Sequence, residues 1–257
     1  MDIRRAATPR GRVEVGAFVI EGTRLFERAI RADSDVLAAI HSDDFASGSN
    51  ARQASILAAL LSAGVELFAL PTEKMTELTA GRKFGAIIGL VGLPQEVDIS
   101  TIRRADGRSA RLLAAIDVED PGNVGALMRT ALATGADAML TTGVSDPFHP
   151  RAIRTSMGAV FRLPLARASE KNAVDILHTA GFQTVATVTS DGTDIRSFHW
   201  PNEPVAILMG SEAHALPPAI VEAAHHRLTI PMAQSIDSFS VNAATAIVMH
   251  DAMNCAE

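Results

Sequence analysis

The feature that most constrains this chain lies near its end, where two short apolar runs each empty into a loop of small and polar residues. Residues 206–209 and 227–230 have the length and composition of buried strands. The first run is followed by Gly210, Ser211 and Glu212, the second by a polar loop over residues 232–240. A helix with Val241, Ala244, Thr245, Val248 and Met249 along one side is expected next. Open α/β sheets bind ligands outside the carboxyl ends of their strands. Two strand exits set side by side therefore predict a crevice. Its glycine, hydroxyls and free backbone groups suit a nucleoside-like ligand better than a bare phosphate.

Ahead of that stretch, strands alternate with helices, which places the chain in the α/β class. Strands are expected over 17–20, 36–40, 65–70 and 86–91. Between them fall a helix with Leu25, Phe26, Ala29 and Ile30 on one side, another over 51–63 stopped by Gly64, and a short one from Thr72 to Ala80, with Thr72 as its cap. Residues 1–100 read as a small α/β domain. Residues 95–110 are polar and aperiodic and read as a linker. Residues 108–257 read as a second α/β domain, its expected strands being 112–118, 138–142, 161–165 and 182–187. Its expected helices are 124–134, 149–157, and 169–180 with Ser169 as cap.

Composition removes several classes. No apolar run approaches the roughly 18 residues of a membrane span. The first 16 residues carry Arg4, Arg5, Arg10 and Arg12 and lack a signal peptide's apolar centre. The single cysteine, Cys255, forms no intramolecular disulfide, so the cytoplasm is the default setting. No His/Cys group has metal-ligand spacing, and His225-His226 reads as an exposed pair, so no metal is expected. A net charge of −6 argues against nonspecific coating of nucleic acid. Arginines nevertheless gather in the N-terminal arm, at Arg103, Arg104, Arg108 and Arg111, and at Arg151, Arg154, Arg162 and Arg167. Each cluster is either solvated surface or a place for RNA contact.

The segment from Asp117 to Arg129 reads as strand, turn and helix, which invites a nicotinamide-dependent oxidoreductase. The dinucleotide fingerprint needs three spaced glycines. Only Gly122 and Gly125 are present, with Asn123 between them, and no GxxxxGK[ST] phosphate loop occurs.

Three stretches in order, PGNVGALMRTALATGAD, ILMGSEAHALP and LTIPMAQSIDSFSVNAATAI, resemble the motifs of the SpoU (TrmH-like) branch of the SPOUT RNA methyltransferases. The stretch FVIEGTRLFERAIRA is similar to the substrate-binding domain that many such enzymes carry. The resemblance implies a trefoil-knotted C-terminal sheet, one of the rare exceptions to unknotted chains. It also implies a homodimer, S-adenosyl-L-methionine as cofactor, and methyl transfer to a ribose 2′-hydroxyl in structured RNA. The expected target is 23S ribosomal RNA. Transfer RNA is the alternative, and a non-catalytic RNA-binding or assembly protein keeping the fold is another. Gly210, Ile230 and Phe239, with Thr187, Met209 and Ser240, are the implied cofactor contacts. Arg129, Asn123, Glu212 and Ser238 are the implied catalytic set. Each has a plainer reading: Gly210 as a turn glycine, Ile230 and Phe239 as core, Arg129 as an exposed helix residue, Glu212 as a loop carboxylate, Asn123 as a helix cap. Two departures stand out. The third motif, commonly Ser-Leu-Asn-Val-Ser, is here Ser238-Phe239-Ser240-Val241-Asn242, with asparagine and serine exchanged. Ala213 and Ala215 stand where glycines are frequent.

Overall fold

The computed structural model describes residues 3–47, 50–78, 86–104, 107–233 and 238–254. They gather into two units, Met1–Pro94 with Phe148–Phe161, and Gln95–Pro147 with Arg162–Glu257.

The first unit is built on a four-stranded sheet of β1 (Ala17–Glu21), β2 (Val36–Ser42), β3 (Glu66–Leu70) and β4 (Ile87–Gly92), in the order β1-β4-β2-β3. β4 runs antiparallel to both neighbours, and β2 and β3 are parallel. The helix Thr23–Arg31 buries Leu25, Phe26 and Ala29, three of the four residues its periodicity singled out. Thr72 is the first residue of the helix Thr72–Leu78, and its hydroxyl donates to Asp44 (2.8 Å) instead of capping. The expected end of that helix, Ala80, lies outside the described residues. Phe148 and Phe161 pack their rings 5.1 and 6.2 Å from Phe18. Phe161 therefore closes a 3-10 turn, Ala159–Phe161, and the strand expected over 161–165 starts only at Leu165.

The second unit holds seven strands: β5 (Arg111–Ala115), β6 (Ala138–Thr142), β7 (Leu165–Ala168), β8 (Gln183–Val188), β9 (Thr193–Asp194), β10 (Val205–Met209) and β11 (His226–Thr229). Their order is β7-β6-β5-β10-β8-β11-β9, and every pairing is parallel. Central parallel strands are covered on both faces, which is why β5, β6 and β10 are buried along their whole length. One expectation changes here. β10 and β11 are not neighbours; β8 lies between them, so the two loops face each other across its end. Ile99 and Ile102, inside the segment read as a linker, are buried in this core. The helix expected over 169–180 is split into a 3-10 turn, Glu170–Asn172, and a helix, Ala173–Thr179, and Ser169 makes no capping bond. The final helix, Val241–Asn254, packs against the helix Pro121–Thr134.

Part of the arginine cluster around residue 103 is tied into the fold, while Arg103 and Arg108 stay exposed. Arg103 bonds the carbonyls of Ser100 and Ile102, and Arg104 pairs with Asp137 at 3.5 Å. Arg111 is only 2% exposed. Its guanidinium donates to the carbonyls of Ala110 (3.3 Å), Pro201 (3.0 Å), Glu203 (2.9 Å) and Ala252 (3.5 Å). It thereby ties the end of the last helix to the start of β5. Burial lowers its pKa from the usual guanidinium value, but those carbonyls satisfy the charge.

At the start of β11, His225 Nδ1 accepts the Thr184 backbone N–H (3.1 Å), and the His225 backbone N–H donates to Thr184 Oγ1 (3.2 Å). His178 Nε2 lies 2.9 Å from the same hydroxyl. Burial, reinforced by His225, lowers the pKa of both His178 and His226 from the ordinary histidine value.

Replacing Arg111 by Met removes the donor that these carbonyls share, leaving the Ala110 carbonyl with its Val205 N–H (2.9 Å), and is expected to cost about 3 kcal/mol in denaturant unfolding. The histidine shifts give a second expectation. The unfolded chain takes up these protons first, so this part of the stability is complete above about pH 6.5 and declines as pH falls below it. His178→Gln should flatten the fall in melting temperature between pH 7.5 and 5.5 relative to the wild type.

Candidate functional site

The loops that leave β8, β10 and β11, with the first turns of the last helix, enclose a crevice of about 270 Å³. Thr187, Val188 and Thr189 line it from the end of β8. Met209, Gly210, Ser211, Glu212, Ala215 and Leu216 line it from β10 and its loop. Leu228, Ile230 and Met232 come from β11 and its exit, and Ser238, Phe239, Ser240, Val241 and Ala244 from the entry of the last helix. Every residue read as a cofactor contact, Thr187, Met209, Gly210, Ile230, Phe239 and Ser240, is among them, as are Glu212 and Ser238.

The loop after β10 is folded tightly on itself. A β-carbon on Gly210 would overlap the backbone of Ala215 and Leu216. The glycine is thus required by its own loop as well as by its place on the crevice wall. Ala215 N–H donates to the Ser211 carbonyl (2.8 Å), and Ser211 Oγ accepts from Ala213 N–H (3.2 Å). Ala215 sits at φ 56°, a left-handed conformation that is unusual for alanine. Strain of this kind clusters at ligand sites. Thr187 Oγ1 donates to the Leu208 carbonyl (2.8 Å), which locks β8 to β10 at the crevice floor.

Glu212 is fixed from two sides. Asn123 Nδ2 donates to its Oε2 (2.6 Å), and the Val241 backbone N–H to its Oε1 (3.3 Å). A carboxylate at the start of a helix also meets the positive end of the helix dipole. Asn123 is not the cap of its helix. That role falls to Asp120, whose Oδ1 accepts from the backbone of Gly122 (2.6 Å) and Asn123 (3.1 Å). The helix therefore starts at Pro121, three residues before the expected position. Asn123 is left free to face across to Glu212. Ser240 Oγ accepts from Ala243 N–H (3.3 Å) and so caps the last helix.

Arg129 stands apart. It is exposed on the helix Pro121–Thr134 and is not among the residues lining the crevice of its own chain. Asn242, one step beyond the usual position of the motif's asparagine and left out of the implied site, does reach it: its Nδ2 donates to Asn123 Oδ1 (2.9 Å). Its signal was present in the exchange of asparagine and serine in the third motif.

A family model described as the SpoU rRNA Methylase family matches residues 110–250. The 23S rRNA (guanosine(2553)-2'-O)-methyltransferase RlmP of Bacillus subtilis is 26% identical over 250 residues, covering 97% of this chain and 93% of that protein. A 23S rRNA (uridine(2479)-2'-O)-methyltransferase of Streptomyces viridochromogenes is 33% identical over 135 residues, 50% of this chain and 47% of that one. The crystal structure of an AdoMet-bound rRNA methyltransferase from Sinorhizobium meliloti matches with a TM-score of 0.84 at 26% identity, over 98% of this chain and 93% of that one.

The packing at Gly210 predicts that Gly210→Ala costs about 2 kcal/mol, because overpacking moves the backbone of the loop. Denaturant unfolding of the variant against the wild type checks this.

Proposed function

This chain belongs to the SpoU rRNA Methylase family, and from that premise we propose that it is an RNA (ribose-2′-O-)-methyltransferase acting on 23S ribosomal RNA. The observation that carries the proposal is the crevice itself, where apolar walls and a fixed carboxylate meet at one end of a parallel sheet. Its residues fit S-adenosyl-L-methionine. Ile230, Leu216 and Phe239 offer apolar faces to a purine, Phe239 being 41% exposed over the opening. Ser211, Ser238 and the backbone beside Gly210 offer the few polar contacts that such a pocket needs. When bound, that cofactor supplies an electrophilic methyl group on a sulfonium.

A ribose 2′-hydroxyl is a weak nucleophile until its proton is removed or polarised. Arg129 stays protonated in a protein, so its role is to steady the developing oxyanion or to grip the neighbouring phosphate. In our reading the guanidinium serves the crevice of a second copy, because it lies outside the crevice of its own chain. The enzyme is accordingly proposed to be a homodimer. Glu212, with both oxygens already accepting hydrogen bonds, holds the surrounding groups in place, and the proton leaves through the RNA phosphate or water. A trefoil knot is proposed for the C-terminal sheet, a reading supported by the strand order in which β8 separates β10 from β11. The first unit is proposed to dock folded RNA while the second reaches a splayed nucleotide. The cytoplasm is the proposed compartment.

Both rivals lose ground on particular residues. The non-catalytic reading rested on Ser240, whose hydroxyl caps a helix, a task that serine performs as well as asparagine. A dinucleotide pyrophosphate would need the N–H groups at the start of the helix Pro121–Thr134, and Asp120 already takes those of Gly122 and Asn123.

Mapping of 2′-O-methyl sites in ribosomal RNA, with and without the gene, should reveal one site that depends on this protein; identical maps would refute the function. Arg129→Ala is expected to abolish transfer while S-adenosyl-L-methionine still binds by calorimetry. Co-expressed with a Phe239→Asp chain, it should regain activity that neither variant has alone. If the mixture stays inactive, the arginine does not act across a dimer.

A further inference from the structure

Asn242 enters the site with a direction imposed on it. An ionised carboxylate only accepts hydrogen bonds, so Glu212 Oε2 can face only the amide nitrogen of Asn123, and it does so at 2.6 Å. That choice turns Asn123 Oδ1 the other way, where only a donor can meet it. Asn242 supplies its Nδ2 there at 2.9 Å. The polarity therefore runs one way, from Asn242 through Asn123 to Glu212. Asn242 Oδ1 is left buried and without a hydrogen-bond partner in consequence. A buried amide oriented by its own surroundings would not leave its better acceptor unmatched. The orientation is set from the far end, by the carboxylate.

The relay also closes a ring between two helices. Asn242 is the second residue of the helix Val241–Asn254, and the Val241 N–H in its first turn donates to the other oxygen of Glu212. Asn123 lies in the first turn of the helix Pro121–Thr134. Three segments distant in sequence thus share one carboxylate, and Val241 and Ala244 of the same helix line the crevice. Ser240, two residues earlier, is committed to capping.

We propose that Asn242 is a positioning residue for methyl transfer: by holding Asn123 in place it keeps the Glu212 carboxylate fixed, and it holds the start of the last helix against the crevice. Its catalytic part rests on the methyltransferase reading above; its hydrogen-bond part does not.

The two parts are separated by isosteric reversals. Asn242→Asp puts an acceptor where Asn123 Oδ1 needs a donor, so it should lower the melting temperature by several degrees. Glu212→Gln forces a donor against either Asn123 or the Val241 N–H and should also lower it. Combined, the two substitutions permit the relay to run backwards, with Gln donating to Asn123 and Asn123 donating to Asp, while Val241 keeps its acceptor. The double variant should melt above Asn242→Asp alone; additive losses would overturn the relay whatever the enzyme does. For catalysis, with transfer of labelled methyl from S-adenosyl-L-methionine to ribosomal RNA from a strain lacking the gene, Asn242→Ala should lower kcat about tenfold and change the cofactor KM by less than about threefold. In an Asn123→Ala background it should cost nothing further, since residues acting as one unit are not additive. A full additional loss there, or an unchanged kcat, would remove the positioning role. An inactive wild type would sink the methyltransferase reading and leave the relay to the melting data.

Discussion

The site depends on one carboxylate that can only accept. Glu212 accepts a hydrogen bond from the Asn123 side-chain amide, 89 residues away in sequence, and another from the Val241 backbone N–H, 29 residues further along the chain. Hydrogen bonds to an ionised acceptor are stronger than those between neutral groups. They also carry direction, because the carboxylate dictates which way each amide must turn. Between them they bring the loop after β10, the helix Pro121–Thr134 and the start of the last helix to one point. That point stands beside the opening lined by Phe239 and Ile230.

The surrounding structure holds this arrangement at some local cost. Ala215 adopts a left-handed backbone, Gly210 must lack a side chain, and a buried oxygen of Asn242 goes unmatched. Each lies within the same loop or the polar relay beside it, the pattern expected where a scaffold over-determines a strained ligand site. Elsewhere in this unit the chemistry is conservative. The central strands β5, β6 and β10 are buried, Arg111 satisfies its charge on carbonyls, and Asp120 and Ser240 cap their helices through their side chains.

Much of the fold was legible in the sequence because periodicity and burial agree there. The stripe of Leu25, Phe26 and Ala29 is buried as its spacing implies, and the strand at residues 138–142 falls where its composition put it. What the residues did not carry was long-range order. Nothing local to residues 206–209 and 227–230 says that β8 comes between them, since strand order depends on crossover connections. Phe161 has the character of a strand residue and is claimed instead by Phe18. Arg111 reads as a surface cation until the carbonyls around it are known. At the site, the lining residues were legible through their motifs, but Asn242 was left out of the implied set. Its importance lies in an amide facing Asn123, and no spacing along the chain encodes that contact.

A crystal structure of the protein with bound S-adenosyl-L-homocysteine tests the account most directly. It should show the adenine ring against Ile230 and Phe239, with the sulfur at the end of the crevice nearest Glu212. A ligand seated elsewhere, or the crevice unable to admit it at saturating concentration, would contradict the account.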